Sequence, residues 1–386
     1  MTLLNKKIGV IGGGIGGLAS AIAFAKFGSQ VTLYEKALVI SEVGAGIQIS
    51  ANGINVLTKL GIYPDYLKSV GFPKNIIFKD YKTDKAITEI QHNQDLNLPY
   101  MQLHRADLIE ALVARAKSLG VNIVLGSKAK VINSGRSGSK IKVNNSEVFD
   151  FDLTVAADGM NSTVRQYWFG QRPSVFMKQI AWRALIPSNG MSIEPTVYMG
   201  INKHLVMYPL RNGKIINIIG VQSNKNLAPE SWTNDGSPEK FYNEFSDFNT
   251  SVTNILSDIT EVKLWGLYSH PTLKSWSHKN VVLLGDAAHP MLPFMAQGSC
   301  MALEDAAVLA RVLNKINNID TALKKYENIR KKRVTAVQKT SIKNGKFFHI
   351  NNLILRKFFH ITMLFITKLH PSFLKSRYNW IYNYKA

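Results

Sequence analysis

The sequence predicts an α/β fold in which a Rossmann-like nucleotide-binding domain carries an inserted, mostly antiparallel β-sheet domain and is followed by C-terminal helices. Three glycine-containing segments lead to this prediction: residues 12–17 near the start, Asp158-Gly159 in the middle and residues 285–290 late in the chain. In an open parallel sheet, loops of this kind meet at the carboxyl ends of the strands, where nucleotides bind. The spacing therefore indicates a chain that leaves its nucleotide-binding sheet and later returns to it.

The first segment has the pattern of a strand, a turn and a helix. Residues 7–11 form an apolar run, and residues 15–27 have apolar side chains at helical spacing. In such a turn Gly12 permits the sharp bend, Gly14 lets the backbone approach a pyrophosphate, and Gly17 lets the helix pack on the strand. The candidate dinucleotide-binding residues of this segment are Gly12, Gly14, Ile15, Gly16 and Gly17.

The second predicted strand, residues 30–34, ends at Glu35. An acid at this place accepts hydrogen bonds from a ribose diol, and its negative charge argues against a ribose phosphate. Lys36 follows it and belongs to the same candidate site. The alternative is a glycine-rich turn without a ligand, but the flanking periodicity together with the acid favours the nucleotide.

Length and composition set further bounds. The chain has 386 residues, 46% of them hydrophobic, which suits roughly two or three domains. Cys300 is the one cysteine, so an intrachain disulfide is excluded and we expect a cytoplasmic protein. We expect Cys300 to be packed rather than nucleophilic, because no base is paired with it in the sequence. Residues 1–5 lead straight into the first strand, so no signal peptide is expected, and no metal site is predicted.

The formal net charge of +21 is concentrated at the end of the chain. After Asp305 there are 17 Lys and Arg residues against two acids, Asp320 and Glu327. The basic residues between 324 and 333 fall on a helical pattern, and no nucleic-acid-binding motif accompanies them. They are therefore predicted to form a solvent-exposed helix face, with no nucleic-acid partner.

Residues 347–369 are apolar and aromatic, but Arg356, Lys357 and His360 interrupt them. The longest stretch without a full charge, residues 358–367, is too short to cross a bilayer. A pair of amphipathic helices is predicted instead. It covers the substrate side of the protein, forms a subunit contact, or lies on a membrane surface, and packing within the chain is favoured over peripheral membrane contact.

Between the glycine segments the chain reads as alternating elements. Residues 52–60 and 106–119 are predicted helices, and shorter runs at 122–125, 129–132 and 140–143 are predicted strands. Longer alternating strands from 178 to 222, with turns at Asn189-Gly190 and Asn212-Gly213, indicate an antiparallel sheet. Residues 281–284 bring the chain back to the first sheet.

These elements define the predicted domain boundaries. The nucleotide-binding domain takes residues 1–175, although strands near 75–100 fit the inserted domain as well, and it resumes over 276–345. The antiparallel sheet domain takes 176–275, and the C-terminal helical segment takes 346–386.

Several segments together carry a family resemblance. They are 12–17 with Glu35, 44–48 (Gly-Ala-Gly-Ile-Gln), 103–108 (Leu-His-Arg-Ala-Asp-Leu), 157–165 (Ala-Asp-Gly-Met-Asn-Ser-Thr-Val-Arg), 182–187 (Trp-Arg-Ala-Leu-Ile-Pro), 285–305 and 379–384. The chain resembles the class A flavoprotein monooxygenases, the single-component aromatic hydroxylases. It is most similar to the branch of salicylate, hydroxybenzoate and hydroxynicotinate hydroxylases, over nearly the whole sequence.

The resemblance implies a Rossmann-like FAD-binding domain of the aromatic hydroxylase type, with FAD held noncovalently. Asp158 would touch the FAD, Asp286 would accept hydroxyls of its ribityl chain, and Arg105 would lie beside the flavin. The helix that follows Gly298 would direct its N-terminus at the flavin ring, where reduced flavin carries negative charge. The cofactor-binding residues implied in this way are Gly46, Gln48, Arg105, Asp158, Gly285, Asp286, Pro293, Gln297 and Gly298.

One GxGxxG segment with the right flanks is present, so FAD and NADH or NADPH cannot each occupy a Rossmann domain of their own. The resemblance implies that NADH or NADPH reduces the flavin and leaves. O2 then adds at the flavin C4a position, and the hydroperoxide transfers an oxygen atom to an aromatic ring. Because that ring must be electron-rich, an aromatic, phenolic acid is the expected substrate.

A base near the substrate hydroxyl would aid this reaction. The resemblance points to His204 first and to Gln297 second, with Tyr208 on the wall of the site. Related hydroxylases often have a second histidine at the position of Met207, which leaves the identity of the base open. Two alternatives also stay open: a flavin monooxygenase of a larger lipophilic or antibiotic-like molecule, and a non-catalytic flavin-binding protein. The expected partners are a small aromatic substrate and O2, and the expected state is a monomer or homodimer.

Overall fold

The computed structural model describes residues 3–40, 45–63, 67–91, 100–135, 137–170, 173–188, 190, 194–231, 234–370 and 373–386. The strands are β1 Lys7–Ile11, β2 Gln30–Tyr34, β3 Gly46–Ile49, β4 Asn75–Asp80, β5 Ala86–Gln91, β6 Met101–His104, β7 Asn122–Val124, β8 Ala129–Gly135, β9 Gly138–Val143, β10 Glu147–Phe151, β11 Leu153–Ala156, β12 Val175–Pro187, β13 Thr196–Met199, β14 Lys203–Leu210, β15 Ile215–Ser223, β16 Lys263–Ser269, β17 Ser277–His278 and β18 Val281–Leu283. The helices are α1 Ile15–Lys26, α2 Ala51–Leu60, α3 Arg105–Ser118, α4 Thr163–Phe169, α5 Pro238–Phe245, α6 Thr250–Ser257, α7 Gly298–Lys315, α8 Ile319–Phe348, α9 Leu353–Leu369 and α10 Phe373–Tyr382.

The first sheet is the nucleotide-binding sheet that the glycine segments predict. Its order is β17-β18-β11-β1-β2-β7, and every pair is parallel except β17 with β18. The chain leaves this sheet after β11 and returns at β18, where Thr154 lies opposite Val281. The predicted return of the chain to its first sheet is therefore confirmed.

The turn between β1 and α1 depends on two of its glycines. Gly12 has a φ of +106°, and a Cβ there would lie 2.3 Å from the Ala157 carbonyl oxygen. A Cβ on Gly17 would lie 1.9 Å from the Gly12 carbonyl oxygen. Only glycine permits the left-handed backbone at the first position and the close packing of the helix on the turn at the second.

The second large sheet has the order β16-β12-β15-β14-β13-β4-β5. All its neighbours are antiparallel except β13 with β4. The strands at 75–91 thus join this sheet, while residues 92–99 lie outside the described residues. The predicted turn at Asn212-Gly213 connects β14 to β15, with Gly213 at a φ of +83°; Asn189, of the other predicted turn, is not among the described residues.

The C-terminal helices correct one expectation from the sequence. Lys324, Lys325 and Lys332 are exposed as predicted, but Arg330 is fully buried and Arg333 reaches inward to Glu304. Arg330 lies at helical spacing from buried apolar residues of α8, so it belongs to the packed face of that helix. Within the described part of the chain, no helix is both long and apolar enough to cross a membrane.

Candidate active site

A cavity of about 570 Å³ lies where the carboxyl end of the first sheet, the seven-stranded sheet and the C-terminal helices meet. Most residues predicted for the site line it: Gly14, Ile15, Gly16, Gly46, Gln48, Arg105, His204, Tyr208, Gly285, Asp286, Pro293, Gln297 and Gly298. The fold thus brings residues from five separate stretches of sequence to one space. Gly44 of the predicted Gly-Ala-Gly-Ile-Gln segment lies outside the described residues.

The backbone of the glycine turn is open at Gly14. A Cβ on Gly14 would meet no atom within 4 Å, so the backbone there is open on the side of the cavity. Gly14 is also the residue before α1, and no side chain caps that helix end. The N–H groups of the first helical turn are therefore suited to bind an anion.

Glu35 lies beside this turn, as the spacing predicts. Its Oε2 accepts a hydrogen bond from the Gly13 N–H at 2.6 Å, and its Oε1 accepts one from the Ala37 N–H at 2.9 Å. These bonds hold the carboxylate at the end of β2, next to the glycines. Lys36 follows with an exposed side chain and does not line the cavity.

The Asp158-Gly159 segment is joined to the Gly285-Asp286 turn by hydrogen bonds from Arg165 to backbone carbonyl groups. Asp158 Oδ2 accepts from the Thr163 N–H at 2.9 Å, so this carboxylate caps α4, while its buried Oδ1 has no hydrogen-bond partner among the described residues. Arg165 of α4 donates to the carbonyl oxygens of Asp286 and Ala287, at 3.1 Å each. The Asp286 side chain itself is exposed and faces the cavity.

The side chain of Gln297 takes part in a buried hydrogen-bond network. Its Nε2 donates to Ser50 Oγ at 2.8 Å, and its Oε1 accepts from Asn52 Nδ2 at 3.0 Å. Asn52 Nδ2 also donates to Glu304 at 2.7 Å. Gln297 therefore ties the loop before α7 to the start of α2, with one donor and one acceptor of its amide bonded to these neighbours.

A buried cluster of charges extends this network, and the sequence interpretation missed it. Arg330 pairs with Glu304 and, at 2.6 Å, with Asp305, whose second oxygen accepts from the Gly285 N–H at 3.0 Å and contacts His289. The cluster fixes the Gly285-Asp286 turn against α7 and α8. Its signal in the sequence is two adjacent acids within an apolar helix pattern, opposite an arginine at helical spacing between apolar residues.

His204 lies on the cavity wall and has a partner that the sequence interpretation also missed. Its Nδ1 is 2.8 Å from Nε2 of His349, a residue 145 positions away at the end of α8. His349 Nδ1 in turn is 3.0 Å from Nε2 of Gln179 on β12. His204 is almost fully buried, whereas His349 and Gln179 are half-buried. The three side chains form a hydrogen-bonded row from the cavity towards the surface.

Burial keeps both imidazoles neutral. It lowers the pKa of His204 well below its usual value, with a further contribution from His349, and it lowers the pKa of His349 to about 4. Gln179 Nε2 is a donor, so His349 carries its proton on Nε2 and donates it to His204 Nδ1. His204 then has its own proton on Nε2. If the Gln179 amide turns over, every bond in the row reverses and His204 Nε2 becomes an acceptor.

The remaining wall is mostly apolar. Tyr208 lines the cavity beside Gly46, where a Cβ would lie 2.5 Å from the tyrosine hydroxyl oxygen, and burial raises the pKa of Tyr208. Cys300 is buried against Ser50, and burial raises its pKa to about 11, as expected for a packed thiol. The charged residues among those that line the cavity are Arg105, Arg183, Arg377 and Asp286.

A family model described as FAD binding domain matches residues 5–341. The chain therefore belongs to this family of FAD-binding proteins. The FAD-dependent monooxygenase OpS4 of Beauveria bassiana (strain ARSEF 2860) is 30% identical over 88% of this chain and 85% of its own length. The 3-hydroxybenzoate 6-hydroxylase of Klebsiella oxytoca is 30% identical over 88% of each chain.

Among solved structures, a salicylate hydroxylase substrate complex has the same fold. The TM-score is 0.80 with 22% sequence identity, over 98% of this chain and 96% of the other. The family match and these relatives confirm the predicted fold class, FAD as the cofactor and the resemblance to flavin-dependent aromatic hydroxylases. The chain is an oxidoreductase of that class.

Proposed function

We propose that this protein hydroxylates a phenolic acid with FAD, NADH or NADPH, and O2. Bound FAD would supply the redox chemistry, which is acceptance of a hydride from the nicotinamide nucleotide and transfer of one oxygen atom of O2 to the aromatic ring. The observation that carries the choice of substrate is His204 on the cavity wall, hydrogen-bonded to His349. A neutral histidine with a route for protons behind it is the group that a phenol hydroxyl requires.

The donor set of the chain fits FAD. Gly14 and the start of α1 are open and would receive the pyrophosphate, and Glu35 beside this turn would accept the ribose hydroxyls. Asp286 faces the cavity with a carboxylate that can accept ribityl hydroxyls. The start of α7 at Gly298, which no side chain caps, would face the flavin ring and favour its negative charge when reduced.

The pair of His204 and His349 can carry the phenol proton from the substrate to solvent. With the Gln179 amide turned so that its oxygen accepts, His204 Nε2 takes the proton of the phenol hydroxyl. The proton on His204 Nδ1 passes to His349 Nε2, and the proton on His349 Nδ1 leaves to solvent. The Gln179 amide then turns back so that its Nε2 donates to His349 Nδ1; the row has the polarity of the structure again, and His204 Nε2–H donates to the phenolate oxygen.

Gln297 and Tyr208 have different functions in this proposal. Because the Gln297 amide is held by hydrogen bonds to Ser50 and Asn52, we assign it to positioning of the loop before α7, and His204 is the base. Tyr208 is a wall residue, since burial keeps its hydroxyl protonated. The substrate carboxylate is attracted by the excess of arginine over acid around the cavity. We expect a cytoplasmic enzyme.

A second candidate substrate is a larger apolar phenol. It is favoured by the far wall of the cavity, which is apolar where the seven-stranded sheet meets the C-terminal helices. The residues there are Phe78, Ile87, Val197, Met199, Phe348 and Phe359. This wall can bury more carbon than a benzoic acid has.

The test is oxidation of NADH and NADPH by the FAD-loaded protein against a panel of hydroxybenzoic acids. Each acid is paired with the analogue that lacks the phenol hydroxyl. We expect one phenolic acid to stimulate oxidation and to yield a hydroxylated product, while its paired analogue gives little product. Stimulation by larger apolar phenols alone would select the second candidate. Failure of NADH and NADPH to reduce the bound flavin would leave a non-catalytic flavoprotein.

A further inference from the structure

The outward side of α9 is apolar along its whole length. None of the helix's residues is buried, and Ile354, Phe358 and Leu369 are 80%, 69% and 73% exposed. Leu353 and Leu364 are exposed as well, but they lie beyond Lys357 and Lys368 around the helix. The large side chains of this α9 apolar face are Ile354, Leu355, Phe358, Ile361, Phe365 and Leu369. At 3.6 residues per turn they fall within an arc of about 120°. A contiguous apolar surface of this kind marks a site of interaction.

The opposite side of α9 holds the helix in place. Arg356 pairs with Asp80 of β4 at 3.7 Å, and Thr367 hydrogen-bonds to Thr88 of β5 at 2.9 Å. The ring of Phe359 stacks on that of Phe347, with 5.5 Å between centroids. The helix is thus anchored to the seven-stranded sheet and to α8, so the apolar face is directed outward by the fold.

The charge around this face is mostly positive. From residue 328 to the end, the sequence contains 13 Lys and Arg residues and no Asp or Glu. Lys357 and Lys368 are exposed on the flank of the apolar face, and Lys346 is exposed at the end of α8. Glu89 of β5 lies near Lys368 and only partly offsets the positive charge. Both lysines of α9 lie along one edge of the apolar face. An apolar helix face bordered by basic residues is the pattern of a helix that lies in a membrane interface.

We propose that α9 docks on an anionic lipid bilayer, with its apolar face in the headgroup region and the flanking lysines at the lipid phosphates. A second copy of the chain fits this face less well, because it would bring two strongly basic surfaces together, each on a chain of net charge +21. Phe359 and Met363, on the inner side of α9, line the cavity. Docking would therefore place the cavity next to the lipid.

Flotation of the FAD-loaded full chain with vesicles tests this proposal. One set of vesicles is pure phosphatidylcholine, and the other contains phosphatidylglycerol as well. We expect binding to the anionic vesicles, weaker binding at high salt, and at least about tenfold weaker binding of the Phe358→Glu/Phe365→Glu variant. The matched control is Val148→Glu/Leu227→Glu, which makes the same charge change at exposed apolar residues of β10 and of the 224–231 loop.

The results of this experiment distinguish a lipid bilayer from a second copy of the chain as the partner of the α9 apolar face. All three proteins are first compared by thermal unfolding and by bound FAD, so that loss of folding is recognised. Equal binding of all three proteins to anionic vesicles would overturn the proposal, because the lysines alone would then account for it. The wild-type protein could instead be a dimer that does not bind vesicles, and the Phe358→Glu/Phe365→Glu variant a monomer. This result would show that a second copy of the chain covers the α9 apolar face, and it would overturn the proposal. None of these results depends on hydroxylation.

Discussion

At the residue scale, the proposed base is tested by comparing two histidines. We expect His204→Gln to lower the rate of hydroxylation by about 100-fold, because general base catalysis contributes that much or more. His349→Gln should have a smaller effect, since His204 stays in the cavity but loses its proton acceptor. Both variants should keep bound FAD and release peroxide instead of product. Rates of product and peroxide formation per NADH or NADPH consumed provide the measurement.

A structural effect is distinguished from proton transfer by the acidity of the substrate. If the histidine pair removes the phenol proton, a ring-fluorinated substrate with a lower phenol pKa should recover part of the activity lost in His349→Gln. The same loss with both substrates would mean that His349 only packs against His204. Equal coupling in His204→Gln and wild type would remove His204 from the mechanism.

Substitution of Gly17 and of Gly14 by alanine adds the same methyl group, but we expect different effects on stability and on FAD binding. In Gly17→Ala the Cβ would lie 1.9 Å from a carbonyl oxygen, so we expect a loss of stability of about 1–3 kcal/mol or more. In Gly14→Ala the Cβ meets nothing within 4 Å, so the protein without FAD should unfold near the wild-type midpoint. Its affinity for FAD should nevertheless fall about tenfold or more, since the methyl group would enter the proposed pyrophosphate site. Unchanged FAD affinity in Gly14→Ala would contradict the placement of the phosphates.

At the scale of elements, the buried charges between α7 and α8 predict a specific loss of stability. Arg330→Met leaves Glu304 and Asp305 without their central cation, which costs about 3–5 kcal/mol. The control is Lys332→Met, an exposed neighbour on α8, which should change stability by less than about 0.5 kcal/mol. Urea unfolding at pH 7 measures both, and equal midpoints for the two variants would contradict the account.

The pKa of Asp305 determines how the stability of the protein changes with pH. Burial raises its pKa, but His289 and Arg330 more than offset this, so the pKa is lowered overall. A lowered carboxyl pKa stabilises the protein above the unfolded value of about 4, and this contribution is lost as the pH falls through the folded pKa. Without Arg330 the pKa should rise. The stability difference between Arg330→Met and wild type should therefore shrink between pH 7 and pH 5, as urea unfolding at the two values can check.

The sequence predicted what depends on neighbouring residues and missed what depends on distant ones. The β1–α1 turn and Glu35 follow from local spacing, and the return to the sheet at β18 follows from the apolar run before Gly285-Asp286; the structure has all three. His349 could not be found in this way, because its partner His204 is 145 residues away. Arg330 was assigned to solvent because its neighbours in sequence are lysines, whereas its spacing along the helix places it on the packed face.

At the scale of the whole molecule, the cavity exists only where three parts of the chain meet. The first sheet supplies the glycine turns, the seven-stranded sheet supplies His204 and Tyr208, and the C-terminal helices supply Phe348 and Phe359. His349 joins the second and third of these parts through its bond to His204. The proposed chemistry therefore depends on the packing of the C-terminal helices, which the nucleotide-binding motifs alone do not reveal.

The most direct test of the central claim is the origin of the oxygen atom in the product. The FAD-loaded protein is supplied with NADH or NADPH, isotopically labelled O2 and the phenolic acid that stimulates oxidation, and the product is analysed by mass spectrometry. We expect a hydroxylated aromatic that contains one labelled oxygen atom, with water as the second product of O2. A product whose new oxygen comes from water, or oxidation that yields only peroxide with every aromatic tested, would contradict it.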